Sequence, residues 1–193
     1  MRTLVVSLAL IAISTAAANS AVLENVHLQW RPTSALQARA VAVADVSIQF
    51  DKFQDGRAGR PAIGENLEDA TPKPVTTVDD VGAFVSLHMR ELFERTGLKS
   101  VDDNGAVRIK GEIRQFFVRE TTTYRAEVAV HLSVVDREGR SLWDGIASGD
   151  ATRFGRSYRL ENYEEVLSDA VVDAVNVLLQ NGDFIRALSG RAR

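Results

Sequence analysis

The sequence predicts an α+β fold: a two-layer antiparallel sheet of about four strands with two helices packed on one face. Three observations carry this expectation. Apolar and polar residues alternate along Ala38–Phe50, Val107–Ile113, Tyr124–Val134 and Leu142–Phe154, the period of half-buried strands. Apolar residues recur at three- and four-residue steps along Val81–Phe93 and Tyr163–Leu178, the stripe of an amphipathic helix. The last three strands follow one another without helical crossovers, which excludes a doubly wound parallel sheet.

The chain opens with one positive charge at Arg2, an apolar run from Leu4 to Ile13 broken only by Ser7, and small residues from Ser14 to Ser20. This is the order of a secretory signal peptide, and the alternate small side chains fit cleavage after Ala18 or Ser20. The run is about half of the ~20 apolar residues that a spanning helix needs. The expected organisation is a signal peptide over 1–20 and a single α+β domain over 21–193.

Residues 22–38 read as a lead-in strand or arm, turning at Arg31-Pro32-Thr33-Ser34. The strand Ala38–Phe50 follows. Residues 51–78 then hold Gly56, Gly59, Gly64, Pro61, Pro72 and Pro74 with few large apolar side chains, so they read as a long loop whose composition favours partial disorder. Thr77 or Asp79 can cap the first helix, and Gly97 stops it. Asp102-Asp103-Asn104-Gly105 reads as a helix-to-strand turn; it lacks the further oxygen ligands of a calcium loop. A bulge or phase change is expected at Phe116-Phe117. Asp136-Arg137-Glu138-Gly139 closes the hairpin between the last two strands. Asn162 can cap the second helix, with Glu164 and Glu165 in its first turn, and Asn181-Gly182 ends it before a last turn and an arginine-tipped tail.

Composition narrows the function classes. A chain of 193 residues can bury a core without staples. It has no cysteine, which removes disulfides, thiol catalysis, iron–sulfur ligation and thiolate zinc sites. It also removes the acceptor for N-terminal lipidation, so the expected protein is exported, periplasmic or secreted, and not lipid-anchored. The net charge of −3 with 25% charged residues gives no basic footprint for nucleic acid. No segment after the leader is long and apolar enough to span a membrane.

The chain resembles the YajG-type family of small envelope lipoproteins and, more distantly, the auxiliary lipoproteins of envelope transport systems. Leu92–Leu98, Val107–Ile113, Tyr124–Gly139 and the terminal helix Tyr163–Leu188 carry the likeness. In the first loop, Asp55-Gly56-Arg57 followed by Ile63-Gly64 is similar to an Asp-x-Arg then Ile-Gly pattern in such proteins. The resemblance implies a cell-envelope location. The lipidated cysteine of that family is absent here.

No catalytic constellation emerges. His27, His88 and His131 lack paired spacing, no G-x-S-x-G elbow occurs, and no metal set or cofactor loop is expected. Gly56–Gly64 lacks the strand-into-helix context of a phosphate cradle and reads as a flexible loop, with Asp55 and Arg57 as candidate partner contacts. The most suggestive stretch is Arg153-Phe154-Gly155-Arg156-Ser157-Tyr158-Arg159. Arginines interleaved with aromatics can meet an envelope protein, an anionic lipid or a cell-wall component. Alternatively they are a solvated connection whose rings cover the core's end. The candidate binding residues are therefore Asp55, Arg57, Arg153, Phe154, Arg156, Tyr158 and Arg159. The expected function is non-enzymatic partner binding in the envelope. The alternative is a carrier of a lipid or other hydrophobic molecule, with Phe84, Phe116, Phe117 and Trp143 lining a cleft between helices and sheet.

Overall fold

The computed structural model describes residues 22–37 and 46–190. The expected leader, the first part of the strand expected over Ala38–Phe50, and the last three residues of the arginine-tipped tail lie outside these. In chain order the elements are β1 (Ser47–Phe50), β2 (Gln54–Asp55), β3 (Ala62–Asn66), β4 (Lys73–Thr76), α1 (Val81–Arg95), β5 (Lys99–Val101), β6 (Val107–Glu120), β7 (Tyr124–Asp136), β8 (Ser141–Arg153), α2 (Leu160–Gln180) and α3 (Gly182–Leu188). The fold is α+β, but among the described residues the sheet has eight strands and is mixed, where about four antiparallel strands were expected.

The excess lies on one edge of β6. Its other edge pairs with β7 in antiparallel fashion along nearly its whole length. The first edge is tiled by three short parallel strands: Ile48–Phe50 lie beside Val107–Ile109, Gln54–Asp55 beside Glu112–Ile113, and Gly64–Asn66 beside Val118–Glu120. The segment read as a partly disordered loop is thus a discontinuous strand, to which β4 adds antiparallel to β3. Gly56, Gly59 and Pro61 sit where the chain leaves β6 after β2 and rejoins it at β3, and two- to five-residue strands are too short to show a period.

The β7–β8 hairpin matches the expectation, with Gly139 at φ +82° in its turn. The phase change in β6 is real but precedes the phenylalanines. Ile113 faces Val130 and Gln115 faces Ala129, so the bulge sits at Arg114. Before it the odd residues Val107, Ile109 and Ile113 are buried; after it the even residues Phe116, Val118 and Glu120 are.

Helix α1 is capped by Asp80, which accepts from the Ala83 amide at 2.9 Å, and not by Thr77 or Asp79. Those two are engaged elsewhere: Thr77 Oγ1 donates to the Val26 carbonyl, and Asp79 holds the Leu28 amide. Helix α2 starts two residues before Asn162, with Arg159 at the cap position and no side-chain cap; Asn162 Nδ2 donates to the Arg156 carbonyl at 2.9 Å. Val166, Leu167, Ala170, Val171 and Ala174 are buried with Val128, Val130 and Leu132 of β7 in one core. Gly149 allows α2 to lie on β8, since a Cβ there would sit 2.2 Å from the Ala170 carbonyl oxygen.

Residues 22–37 form an arm. Leu23 to Val26 bond to the edge of β4, with Val26 bridged to Thr77. The arm then passes over the start of α1 and runs along the outer side of α2.

Candidate functional site

The expected site residues separate into two places. Asp55 and Arg57 form a clamp on β6. Arg57 is only 7% exposed. Its Nε and Nη2 donate to the two Asp55 carboxylate oxygens at 2.9 and 2.8 Å, and Nη1 donates to the Ala62 and Phe116 carbonyls at 2.7 and 3.1 Å. Burial would raise the Asp55 pKa, but the hydrogen bonds and charge of Arg57 outweigh it and hold the carboxyl below its ordinary value. These two side chains stitch the turn after β2 to the middle of β6 and face inward.

The β8–α2 connection is different. Phe154 is 80% exposed, the most exposed large hydrophobic side chain among the described residues. Arg156 and Arg159 follow it in the chain and are also exposed. Arg153 pairs with Glu165 of α2, while its Nε is buried without a hydrogen-bond partner among the described residues. Tyr158 turns back into the fold at φ +51°. Its hydroxyl donates to the Pro74 carbonyl at 3.0 Å and accepts from the Leu23 amide at 3.3 Å. Phe154, Arg156 and Arg159 are thus the exposed side chains of the connection, and Tyr158 serves as its anchor.

Beneath the connection lies a buried polar knot that sequence reading missed. Glu120, at the end of β6, is 1% exposed. Its carboxylate accepts from the Tyr163 hydroxyl at 2.5 Å and from the Tyr158 amide at 2.7 Å. The Tyr124 hydroxyl donates to the Arg156 carbonyl at 2.5 Å and accepts from the Arg159 amide at 3.2 Å. The two tyrosine rings meet edge to face at 5.1 Å. Asn66 Nδ2 donates to Ser157 Oγ at 3.1 Å, and Ser157 also bonds Glu68. Burial pushes the Glu120 pKa up, yet the hydrogen bonds from Tyr163, Tyr158, Asn66 and Tyr124 win and hold it below its ordinary value. Desolvation, reinforced by that carboxylate, raises the Tyr163 hydroxyl far above its usual range. The knot fixes the backbone from Arg156 to Arg159, and so aims the exposed side chains. The one sequence signal for it was Glu120, a carboxylate at an even, core-facing position after the bulge.

Of the aromatic side chains considered for a carrier cleft, Phe84 and Phe116 meet edge-on at 6.1 Å, while Phe117 is stacked under Arg119 at 5.7 Å and Trp143 meets Phe184 at 5.1 Å. Trp143 lines a cavity of about 410 Å³ between β8 and α3 with Ile146, Asn181 and Arg186 among others, and a second cavity of about 480 Å³ lies against Arg125, Glu127 and Ser148. On the uncovered face of the sheet, Asp144 joins His131 Nε2 at 2.9 Å and Ser133 Oγ at 2.6 Å. This is not a nucleophile set, because the serine bonds the carboxylate and not the imidazole. Among the described residues, no three histidines or carboxylates cluster to hold a metal ion, and no helix is long and apolar enough to cross a membrane.

No family model matches this chain, and no curated protein matches it. Among solved structures, it shares its fold with a Xanthomonas campestris protein of family DUF330, at a TM-score of 0.53 and 10% identity over 82% of this chain and 93% of that one. Looser likenesses include a "putative lipoprotein" from Caulobacter crescentus CB15 (TM-score 0.44, 12% identity, 66% of this chain and 92% of that one). A PelC dodecamer from Paraburkholderia phytofirmans is similar at TM-score 0.39 and 12% identity, over 69% and 91%. At these identities the likeness is one of fold.

Proposed function

We propose that this protein is a non-enzymatic accessory protein of the cell envelope, exported to the periplasm, that binds a partner through the β8–α2 connection. The observation that carries the reading is Phe154, an aromatic ring held out in water at the start of a connection whose next exposed arginines, Arg156 and Arg159, have their backbone fixed by a buried knot. Exposed aromatics beside arginines are the composition of binding hot spots. Pre-fixing the backbone lowers the entropy lost on binding. The leader-like first 20 residues support export. The protein belongs, on this reading, with the YajG-type envelope proteins, and the fold shared with a DUF330 protein is compatible with that. Against a carrier role, Phe84 and Phe116 pack on each other while Phe117 and Trp143 have other partners, Arg119 and Phe184.

A photo-reactive phenylalanine analogue at position 154, irradiated in the native envelope, tests the proposal. The expected result is a discrete protein adduct that disappears when Arg156→Ala and Arg159→Ala are combined, with the thermal melt unchanged. An adduct pattern indifferent to both substitutions sinks the assignment.

A further inference from the structure

Residues 27–37 lie on the helices in an unusual way. The Leu28 amide goes to Asp79, and from Gln29 on the backbone donors go to side chains of α2, not to a strand: the Gln29 amide to Glu164 Oε1 at 3.0 Å, Arg31 to Ser168 Oγ at 3.0 Å, Thr33 and Ser34 to Asp169 Oδ1 at 2.6 and 2.7 Å, and Gln37 to Asn176 Oδ1 at 2.8 Å. Glu164, Ser168, Asp169 and Asn176 are buried beneath this strap, while none of residues 27–37 is itself buried.

Three strap side chains are read as well. Trp30 stacks on His88 at 4.3 Å and meets Phe84 edge-on at 6.1 Å. The Arg31 guanidinium pairs with Glu164 at 2.8 Å, and Thr33 Oγ1 donates to Asp169 Oδ2 at 2.5 Å. The floor is polar along α2 and apolar where Leu28, Trp30 and Leu36 pack against the core, and all three of these side chains are only half-buried. Opening the strap re-solvates the carboxylates and hydroxyls of α2, which recover hydrogen bonds from water, and exposes no fully buried residue of the strap itself. Such a segment belongs to the low-stability end of a fold.

We propose that the face of α1 and α2 under residues 27–37 is a receptor for an extended peptide segment of a partner, occupied here in cis by the chain's own strap. Its ligand carries an aromatic residue, an arginine directly after it and a hydroxyl residue two positions further on, the spacing of Trp30, Arg31 and Thr33. Backbone recognition by the α2 side chains supplies affinity, and the His88–Phe84 platform, Glu164 and Asp169 supply selectivity. Tethering gives the strap a high effective concentration, so a partner engages only once the strap lifts. This site is separate from the β8–α2 connection and does not depend on its role.

Two measurements test it. In native-state hydrogen exchange on the intact chain, the amides of Arg31, Thr33, Ser34 and Gln37 are expected to exchange at least 100-fold faster than those of Ile109 and Val118, after correction for intrinsic rates. Equal protection would show that the strap opens only with the core and overturns the proposal. In the second, a protease site is introduced within 38–45, the chain is cut, and a fluorescent peptide of residues 22–37 is added. The peptide is expected to bind the folded, cut chain, with tenfold or greater weakening for Trp30→Ala or Thr33→Val peptides. Loss of fold on cutting, no uptake, or uptake indifferent to both substitutions overturns it. Strap-dependent dimers of the intact chain without peptide uptake would assign the face to exchange between copies, and also overturn it.

Discussion

At the scale of single residues, two buried charges do structural work that their sequence neighbourhood hid. Arg57 sits among glycines in a stretch that reads as loop, yet its donors reach Asp55 and the Ala62 and Phe116 carbonyls. Arg57→Ala should cost about 3–5 kcal/mol in urea denaturation, because it leaves a part-buried carboxylate and a carbonyl in β6 unpaired. Tyr163→Phe removes one hydrogen bond to a buried carboxylate, at an expected cost of about 1.5–3 kcal/mol. Glu120 also sets a pH dependence. Its folded pKa lies below the ordinary 4.5, so its contribution is fully present above that value and is lost as pH falls through the lower folded pKa. Glu120→Gln should therefore flatten the acid limb of a stability-versus-pH profile. Glu164 has the opposite sign: burial raises its pKa despite Arg31 and the Gln29 amide. Its ionised form opposes folding at neutral pH, so Glu164→Gln should leave the melting temperature at pH 7 equal or higher; a drop of several degrees would contradict this.

At the scale of elements, the bulge at Arg114 decides which side chains of β6 enter the core. Regular alternation across Gln115 would send Phe117 and Arg119 inward and Phe116, Val118 and Glu120 outward. Deleting Arg114 keeps Ile113 opposite Val130 and Gln115 opposite Ala129, with Phe116, Val118 and Glu120 still inward in regular alternation. The deletion should therefore still give soluble folded protein, read by circular dichroism, and Arg114→Ala should be nearly silent. The doublet Phe116-Phe117 did announce a phase change, because two adjacent aromatics cannot both face the core of one strand. It could not say on which side of the pair the extra residue falls. Gly149 sets how closely α2 approaches β8, and Gly149→Ala should cost about 1–3 kcal/mol by urea denaturation through overpacking against helix backbone.

At the scale of the whole molecule, β6 is the organising strand. It is paired on both edges, by β7 along one and by β1, β2 and β3 in turn along the other. The arm, the discontinuous strand and the β8–α2 connection all converge on its ends or on the helices that cover it. This convergence ties the Tyr158 amide of the exposed connection to buried Glu120, residues 38 positions apart with no local pattern linking them.

By itself the sequence determined the helices α1 and α2, the β7–β8 hairpin, the α+β class and the exposed basic-aromatic connection. These are written in local periodicity and turn chemistry, which need no knowledge of distant partners. Only the tertiary structure decided the parallel half of the sheet, the inward role of Asp55 and Arg57, the Tyr–Glu–Tyr knot and the strap on α2. Each of these depends on hydrogen bonds between segments far apart in the chain. A short strand, a buried carboxylate or an extended arm looks like polar loop until the group that satisfies it is folded into place.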